Sequence, residues 1–127
     1  GNNNINVAIP NTPIFIDSAD DDDQSIVSFS CSNTTSDTLF SLTGEHSSFQ
    51  LKDVTVNNCT NAIFFNPTLL DQSLTVGDVT FNSIQYPITF SGKTLQVDDT
   101  NFYDTNRAIY VTNATFIYMN NCDFQKG

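Results

Sequence analysis

Apolar and polar residues alternate in short runs along the chain, and the runs recur. The stretch "DVTVNNCTNAIFF", which begins at Asp53, returns as "DVTFNSIQYPITF" at Asp78 and as "DTNFYDTNRAIYV" at Asp99. A shorter copy, "NCDFQK", begins at Asn121, so that successive copies start 21 to 25 residues apart. A period in this range is typical of solenoids and other repeat architectures.

The alternation inside each copy predicts short, half-buried strands, because successive side chains of a strand point to opposite faces. Val76 and Val79 are both apolar but lie three residues apart, a step that would change the face of a straight strand. We therefore predict a corner at Gly77-Asp78, and another before the apolar residues of 88–90. Each repeat is predicted to be three short strands joined by corners.

Aligning the repeats places like residues on like residues in six columns, as expected if equivalent strands pair in parallel about 4.8 Å apart. The first strand contributes Phe49, Leu74, Leu95 and Ile117, then Ile26, Leu51, Val76, Val97 and Met119. The second contributes Phe29, Val54, Val79, Thr100 and Cys122, then Cys31, Val56, Phe81, Phe102 and Phe124. The third contributes Ile14, Leu39, Ile63, Ile88 and Ile109, then Ile16, Ser41, Phe65, Phe90 and Val111.

The "L-x-V-x-D-V-T-F" runs and the segments "AIFF", "PITF" and "AIYV" resemble the right-handed parallel β-helix of the pectin-lyase-like superfamily over nearly the whole chain. The resemblance implies an all-β solenoid of about five coils of three short strands. An antiparallel sandwich would also show short strands at turn-marked intervals, but it gives no reason for columns of like residues.

The repeating apolar pattern continues to both ends of the sequence, and neither end shows a segment expected to cap the solenoid. Ile5 and Val7 fit the second-strand columns, and Phe124 is also a second-strand position. We therefore expect residues 1–127 to be a single β-helix segment of a longer solenoid. The expected partners of its bare strand edges are further coils of the same chain or identical copies stacked end to end.

Composition favours β structure and excludes two classes of partner. Phe, Ile, Val and Thr are each more frequent than Ala or Leu, and these four residue types are enriched in strands. A formal charge of −10 with only four Lys and Arg argues against binding to nucleic acid or to an anionic membrane surface. No apolar run approaches the roughly 18 residues of a membrane span.

The superfamily's enzymes carry residues that this chain lacks. Resemblance to polygalacturonases would require Asn-Thr-Asp, Asp-Asp, Gly-His-Gly and Arg-x-Lys segments, and only the pair Asp98-Asp99 is present. A lyase-like site would need Ca²⁺-binding acids beside an arginine base, but no acidic cluster shares a column with Arg107, the single arginine. We expect a non-catalytic segment without a cofactor.

The most acidic run is a weak candidate for Ca²⁺ binding, formed by Asp20, Asp21, Asp22 and Asp23. Calcium prefers several carboxylate and carbonyl oxygens, but the acids of an EF-hand stand at alternate positions with a Gly among them. Four adjacent carboxylates repel one another, so an exposed loop without a metal is the favoured interpretation.

The three cysteines are predicted to be small buried apolar residues without a disulfide framework. Cys31 and Cys122 fall in core columns several coils apart, which exceeds the Cα separation of about 7 Å that a disulfide allows. Cys59 aligns with Ile84 in a turn. On this interpretation the cysteines leave the redox compartment undecided.

Three N-x-Ser/Thr sequons predict glycosylation, at Asn33, Asn58 and Asn113. All three fall in predicted turns, where a glycan could project from the stack. A chain rich in Asn, Ser and Thr also produces such triplets by chance, so their occupancy is a hypothesis.

These features favour an extracellular or cell-surface glycoprotein with a structural or adhesive role, in the manner of β-helical surface proteins and fibre components. The alternative is a carbohydrate-binding or carbohydrate-active β-helix. For that alternative, the predicted surface aromatics Phe64, Tyr86, Tyr103 and Tyr110 would stack on sugar rings.

Overall fold

The computed structural model describes residues 5–6, 14–17, 27–31, 38–44 and 48–126. These residues form β-strands and no helix. The strands are β1 (Ile5–Asn6), β2 (Ile14–Asp17), β3 (Val27–Ser30), β4 (Thr38–Leu42), β5 (Phe49–Lys52), β6 (Val54–Asn57), β7 (Asn61–Phe65), β8 (Ser73–Gly77), β9 (Thr80–Asn82), β10 (Tyr86–Ser91), β11 (Thr94–Asp98), β12 (Asn101–Tyr103), β13 (Ile109–Asn113), β14 (Phe116–Asn120) and β15 (Asp123–Gln125).

The strands form three parallel sheets, which the chain visits in strict rotation. The first sheet has the order β2-β5-β8-β11-β14, the second β3-β6-β9-β12-β15, and the third β1-β4-β7-β10-β13. Every pairing among the described strands is parallel and joins a strand to the one three positions along the chain. The prediction of an all-β parallel solenoid with three strands to a coil is confirmed, and the antiparallel sandwich is excluded.

Stacked side chains fill the interior. In the third sheet Ile63 pairs opposite Ile88, and Ile88 opposite Ile109, so these residues form one column along the axis as predicted. Aromatic rings stack in the same way, with Phe65 5.3 Å from Phe90 between ring centroids. A coil therefore buries its apolar side chains largely against the coils before and after it.

Each of the four described corners between the first and second sheets holds one residue in the left-handed backbone conformation. The φ angles are 56° at Asp53, 52° at Asp78, 50° at Asp99 and 57° at Asn121. Asp and Asn tolerate this conformation better than other side chains do. The corner N–H groups of Asp53, Asp78 and Asp99 each donate to a backbone carbonyl of the next coil, at 3.1, 3.1 and 2.9 Å. The Asp that recurs in the sequence therefore forms the corner with its backbone, which adopts the left-handed conformation and donates to the next coil.

The predicted register is confirmed from Phe49 onward and is wrong before it. Residues 14–16 were expected in the third-strand columns, but Ile14 pairs opposite Phe49 in the first sheet. Ile5 was expected in the second strand, yet it pairs opposite Phe40 in the third sheet. Val7 lies outside the described residues. An isolated pair of aliphatic residues two apart fits any of the columns, so the pattern alone could not choose among the sheets.

A second error concerns β3 and β4. Phe29 and Cys31 were expected opposite Val54 and Val56, and Leu39 and Ser41 opposite Ile63 and Phe65. The observed pairs are Val27 with Val54, Phe29 with Val56, Phe40 with Ile63 and Leu42 with Phe65. The shift is two residues in β3, which keeps the same face inward, and one residue in β4, which reverses the face. In β4 both Leu39 and Phe40 are fully buried, so either could be aligned with Ile63. The apolar pattern therefore permitted both registers. Ile26 lies outside the described residues.

The prediction that the cysteines form no disulfide is wrong. Cys31 and Cys59 are bonded, with their Cα atoms 5.0 Å apart. The corrected register explains the bond, because Ser30 pairs opposite Asn57 and so brings the residues that follow to the same corner of adjacent coils. Both sulfurs belong to the buried core. Cys122 is a free, half-buried thiol.

Loss of this disulfide is predicted to destabilise the solenoid. The bond closes a loop with a sequence separation of 28 residues, and chain entropy gives such a closure about 3 to 4 kcal/mol. Cys31→Ser with Cys59→Ser should lower the free energy of unfolding in urea by an amount of this order. Cys122→Ser is the matched control and should change it by less than about 0.5 kcal/mol. Equal effects of the two changes would contradict the structural role of the bond.

Close approach of two loops requires a glycine at position 92. A Cβ atom there would lie 2.8 Å from the Gln72 carbonyl oxygen and 2.9 Å from Phe90 Cζ. The same carbonyl accepts a 2.7 Å bond from the Lys93 N–H, which ties the two connections together. At Gly77, by contrast, the nearest atoms belong to Lys52 at 3.6 Å, which is ordinary contact.

Gly92→Ala is therefore predicted to lower the free energy of unfolding by about 1 to 3 kcal/mol, as overpacking typically does. Gly77→Ala should leave it unchanged or raise it by up to about 1 kcal/mol, because alanine loses less backbone entropy in a strand. Urea denaturation of both variants checks the pair, and a Gly92→Ala protein as stable as Gly77→Ala would refute the close packing.

Candidate functional site

Two of the three sequon asparagines are described, and both reach solvent. Asn58 occupies a left-handed corner at φ 59° between the second and third sheets, and its side chain is exposed. Asn113 is the exposed last residue of β13. Asn33 lies outside the described residues. The structure thus leaves room for a glycan at Asn58 and at Asn113.

The predicted metal candidates cannot be located. Asp20, Asp21, Asp22 and Asp23 lie outside the described residues. Within the described ranges, no group of three His, Cys, Asp or Glu side chains is placed to hold a metal ion.

The carboxylates of Asp98 and Asp99 accept hydrogen bonds from different residues. Asp98 accepts a 2.7 Å bond from the Gln96 side-chain amide. Asp99, in the corner, accepts a 2.6 Å bond from the side-chain amide of Asn121, which occupies the equivalent corner of the next coil. The second of these bonds links successive corners along the axis, and both are bonds that structural carboxylates make.

Of the four predicted surface aromatics, Phe64 and Tyr110 share the outer face of the third sheet, whereas Tyr86 is the half-buried first residue of β10. Thr89 pairs opposite Phe64 on one side and opposite Tyr110 on the other, so these three residues form an outward column. The Arg107 guanidinium carbon lies 4.8 Å from the centre of the Tyr110 ring. We call this surface the aromatic face.

The predicted surface aromatic Tyr103 lies on a different sheet. Tyr103 lies in the second sheet, paired opposite Asn82 and Gln125. It therefore cannot act with Phe64 and Tyr110 on one extended ligand lying along the aromatic face. The sequence pattern could show that these residues point outward, but it did not assign them to a common surface.

A polar groove lies at the corners between the second and third sheets. It has a volume of about 350 Å³ and is lined by Ser83, Ile84, Gln85, Asp104, Thr105, Asn106 and Lys126. Ser83 and Asp104 are left-handed corner residues of adjacent coils, and the Ser83 hydroxyl lies 3.4 Å from an Asp104 carboxylate oxygen. Sequence reasoning missed this groove, because only the corner stacking brings its residues together.

The terminal coil, β13 to β15, leaves apolar side chains partly bare. Ile117 is 49% exposed and Phe124 is 52% exposed, whereas Leu95 and Phe102, their equivalents one coil earlier, are fully buried. One side of Phe124 is covered by Phe102, with ring centroids 4.8 Å apart. These side chains form an apolar surface on the described terminal coil.

Comparison of the chain with protein-family models, with characterised proteins and with solved structures found no match. The fold and its surfaces are therefore the evidence from which function is inferred. The part of the chain that the structure describes contains no helix with the length and hydropathy of a membrane span.

Proposed function

We propose that this chain is a non-catalytic structural or adhesive β-solenoid of the extracellular space or the cell surface. The observation that carries the proposal is the Cys31–Cys59 disulfide. Structural disulfides persist in oxidising environments and are rare in the cytosol. The exposure of the sequon residues Asn58 and Asn113 agrees with the same compartment.

Hydrogen bonds between polar side chains of successive coils support the structural or adhesive role. On the outer face of the second sheet, Asn82 donates to Asn57 of the previous coil at 3.4 Å between side-chain atoms. The Asp99–Asn121 bond likewise joins successive corners. Such ladders strengthen the contact between coils and suit an elongated, load-bearing element. A pectin-lyase-like ancestry, with a role like that of β-helical adhesins, is the finer form of this proposal.

Mass spectrometry of the protein from its native source tests the proposed compartment. Alkylation under denaturing conditions should modify one thiol, Cys122, before reduction and three after it. Treatment with a glycosidase should lower the mass of the native protein by the mass of the glycan removed. In a secreted recombinant form of the 127-residue chain, Asn113→Gln should reduce the mass that the glycosidase removes, and Asn106→Gln, an exposed residue outside any sequon, should not. Three free thiols and an unmodified chain would contradict the proposal.

Carbohydrate binding is the second candidate function, favoured by the aromatic face. Phe64 and Tyr110 line one surface, and the Tyr110 ring, which Arg107 covers from one side, is 43% exposed and could stack on a sugar ring. With a net charge of −10, the chain should prefer a neutral polysaccharide to a polyuronate.

Affinity electrophoresis in gels that contain a neutral β-glucan or polygalacturonate tests this candidate. We expect retardation by the neutral polymer, and Tyr110→Ala should weaken it about fivefold, as loss of a contact worth about 1 kcal/mol does. Tyr103→Ala is the control, because Tyr103 lies on another sheet. No retardation in either gel, or equal effects of the two substitutions, would remove the aromatic face as a sugar site.

A further inference from the structure

The sequon at Asn58 contains one of the two disulfide-bonded cysteines. Its three residues are Asn58, Cys59 and Thr60, and Cys59 is bonded to Cys31 of the preceding coil. The Asn58 side chain is exposed, whereas Cys59 is only 4% exposed and belongs to the core. One tripeptide is therefore the place of two covalent modifications, the proposed glycan on the outside and the cross-link on the inside.

The folded chain holds this tripeptide from both neighbouring coils. The disulfide joins it to the preceding coil, and two backbone hydrogen bonds join it to the following one. The Asn58 N–H donates to the Asn82 carbonyl at 3.0 Å, and the Tyr86 N–H donates to the Thr60 carbonyl at 2.8 Å. Asn58 has a φ angle of 59°, so the chain changes direction within the tripeptide.

N-glycosylation requires more than an exposed asparagine. The sequon combines the asparagine amide with a Ser or Thr two residues later, so the modifying enzyme has to bind all three residues at once. In the folded solenoid the middle residue lies in the core, and backbone groups on either side of it are bonded to the next coil. Access by the enzyme therefore requires local opening of this corner, which a covalent bond to the preceding coil opposes.

We propose that Asn58 accepts its glycan only before Cys59 is oxidised, so that formation of the disulfide ends the modification of this site. The inference rests on the proposed extracellular function and deepens it, because it sets the order of two modifications that belong to the same compartment. A glycan that is added first does not prevent the disulfide, because Asn58 is exposed and Cys59 is buried.

The two reactions use separate reactants. In the first, the side-chain nitrogen of Asn58 loses one proton and bonds to the anomeric carbon of a lipid-linked oligosaccharide, and the bond from that carbon to the lipid diphosphate breaks. In the second, the thiols of Cys31 and Cys59 lose two protons and two electrons to the disulfide of an oxidising protein, which becomes a dithiol. Neither reaction consumes a reactant of the other, so access to the tripeptide determines their order.

Synthesis of the chain gives both reactions the same short interval. Cys31 precedes Cys59, so its thiol is present as soon as Cys59 emerges. Asn82, which bonds the corner from the other side, follows roughly 20 residues later, or about 1 to 4 s at the usual rate of synthesis. Disulfide formation takes seconds or longer, so the two reactions compete on a similar timescale. Secreted protein should therefore be a mixture, with Asn58 occupied in some molecules and empty in others.

Site occupancy in the 127-residue chain, secreted from eukaryotic cells, tests the proposal. Enzymatic deglycosylation in oxygen-18 water converts each occupied asparagine to labelled aspartate, which peptide mass spectrometry measures separately at Asn58 and Asn113. Cys31→Ser should raise the ratio of occupied to empty Asn58 about twofold or more, because it removes a competing reaction of similar rate. The ratio at Asn113, whose sequon contains no cysteine, should stay unchanged. Cys122→Ser is the matched control and should change neither ratio.

A second measurement needs no variant. The oxidised chain, produced without glycan in a bacterial periplasm, and a linear peptide of residues 54–64 are each incubated with an oligosaccharide transferase and a lipid-linked donor. The peptide should be modified at Asn58 about tenfold faster or more, because the folded chain has to open before the enzyme can bind.

Complete occupancy of Asn58 in the wild type, no rise in Cys31→Ser, or a folded chain modified as fast as the peptide would overturn the proposal. An equal rise at Asn58 and Asn113 would also overturn it, because slow folding and not the cross-link would then govern access. So would an Asn58 that is empty in every secreted form. Occupancy of Asn113 and the number of free thiols report separately on the proposed extracellular role, so this inference can fail while that role stands.

Discussion

The structure depends on the in-register stacking of one coil on the next. None of the described strands is longer than six residues, and a strand of that length cannot bury its own side chains. Parallel pairing in three sheets gives the inward residues of an interior coil inward neighbours above and below, so backbone hydrogen bonds and side-chain burial support the same arrangement. The column of Phe81, Phe102 and Phe124 shows the principle directly, with successive ring centroids 5.3 and 4.8 Å apart.

This constraint explains why the corners are so uniform. A change of direction has to occur at the same point in every coil, or the next three strands would lose their partners. A single left-handed residue provides it, and its N–H bonds to the neighbouring coil, as Asp78 does with the Asp98 carbonyl at 3.1 Å. From β5 onward the connections between the third and first sheets are free of this demand, and their lengths range from two to seven residues.

Sequence alone sufficed for the fold and for the register of the later coils, where the Asp corners and constant strand spacing leave one alignment. It failed where those signals are missing. β2 is flanked by long connections, so Ile14 could be assigned to the wrong sheet. A shift of two residues in β3 hid the proximity of Cys31 to Cys59 and with it the disulfide. The common surface of Phe64 and Tyr110 needed the three-dimensional register.

The same stacking connects the fold to the proposed role. A solenoid whose successive corners are joined by side-chain amides, as Asn121 joins Asp99, is suited to bearing load along its axis. The disulfide joins β3 to the coil that follows, in a part of the chain where the pattern of apolar residues specifies the register only weakly.

Methyl NOE spectroscopy on protein with labelled isoleucine tests the stacking most directly. Adjacent coils lie about 4.8 Å apart, so cross-peaks should join Ile63 to Ile88 and Ile88 to Ile109, while Ile63 and Ile109, two coils apart, should show none. Absence of the first two cross-peaks in the folded protein, or a direct cross-peak between Ile63 and Ile109, would contradict the account.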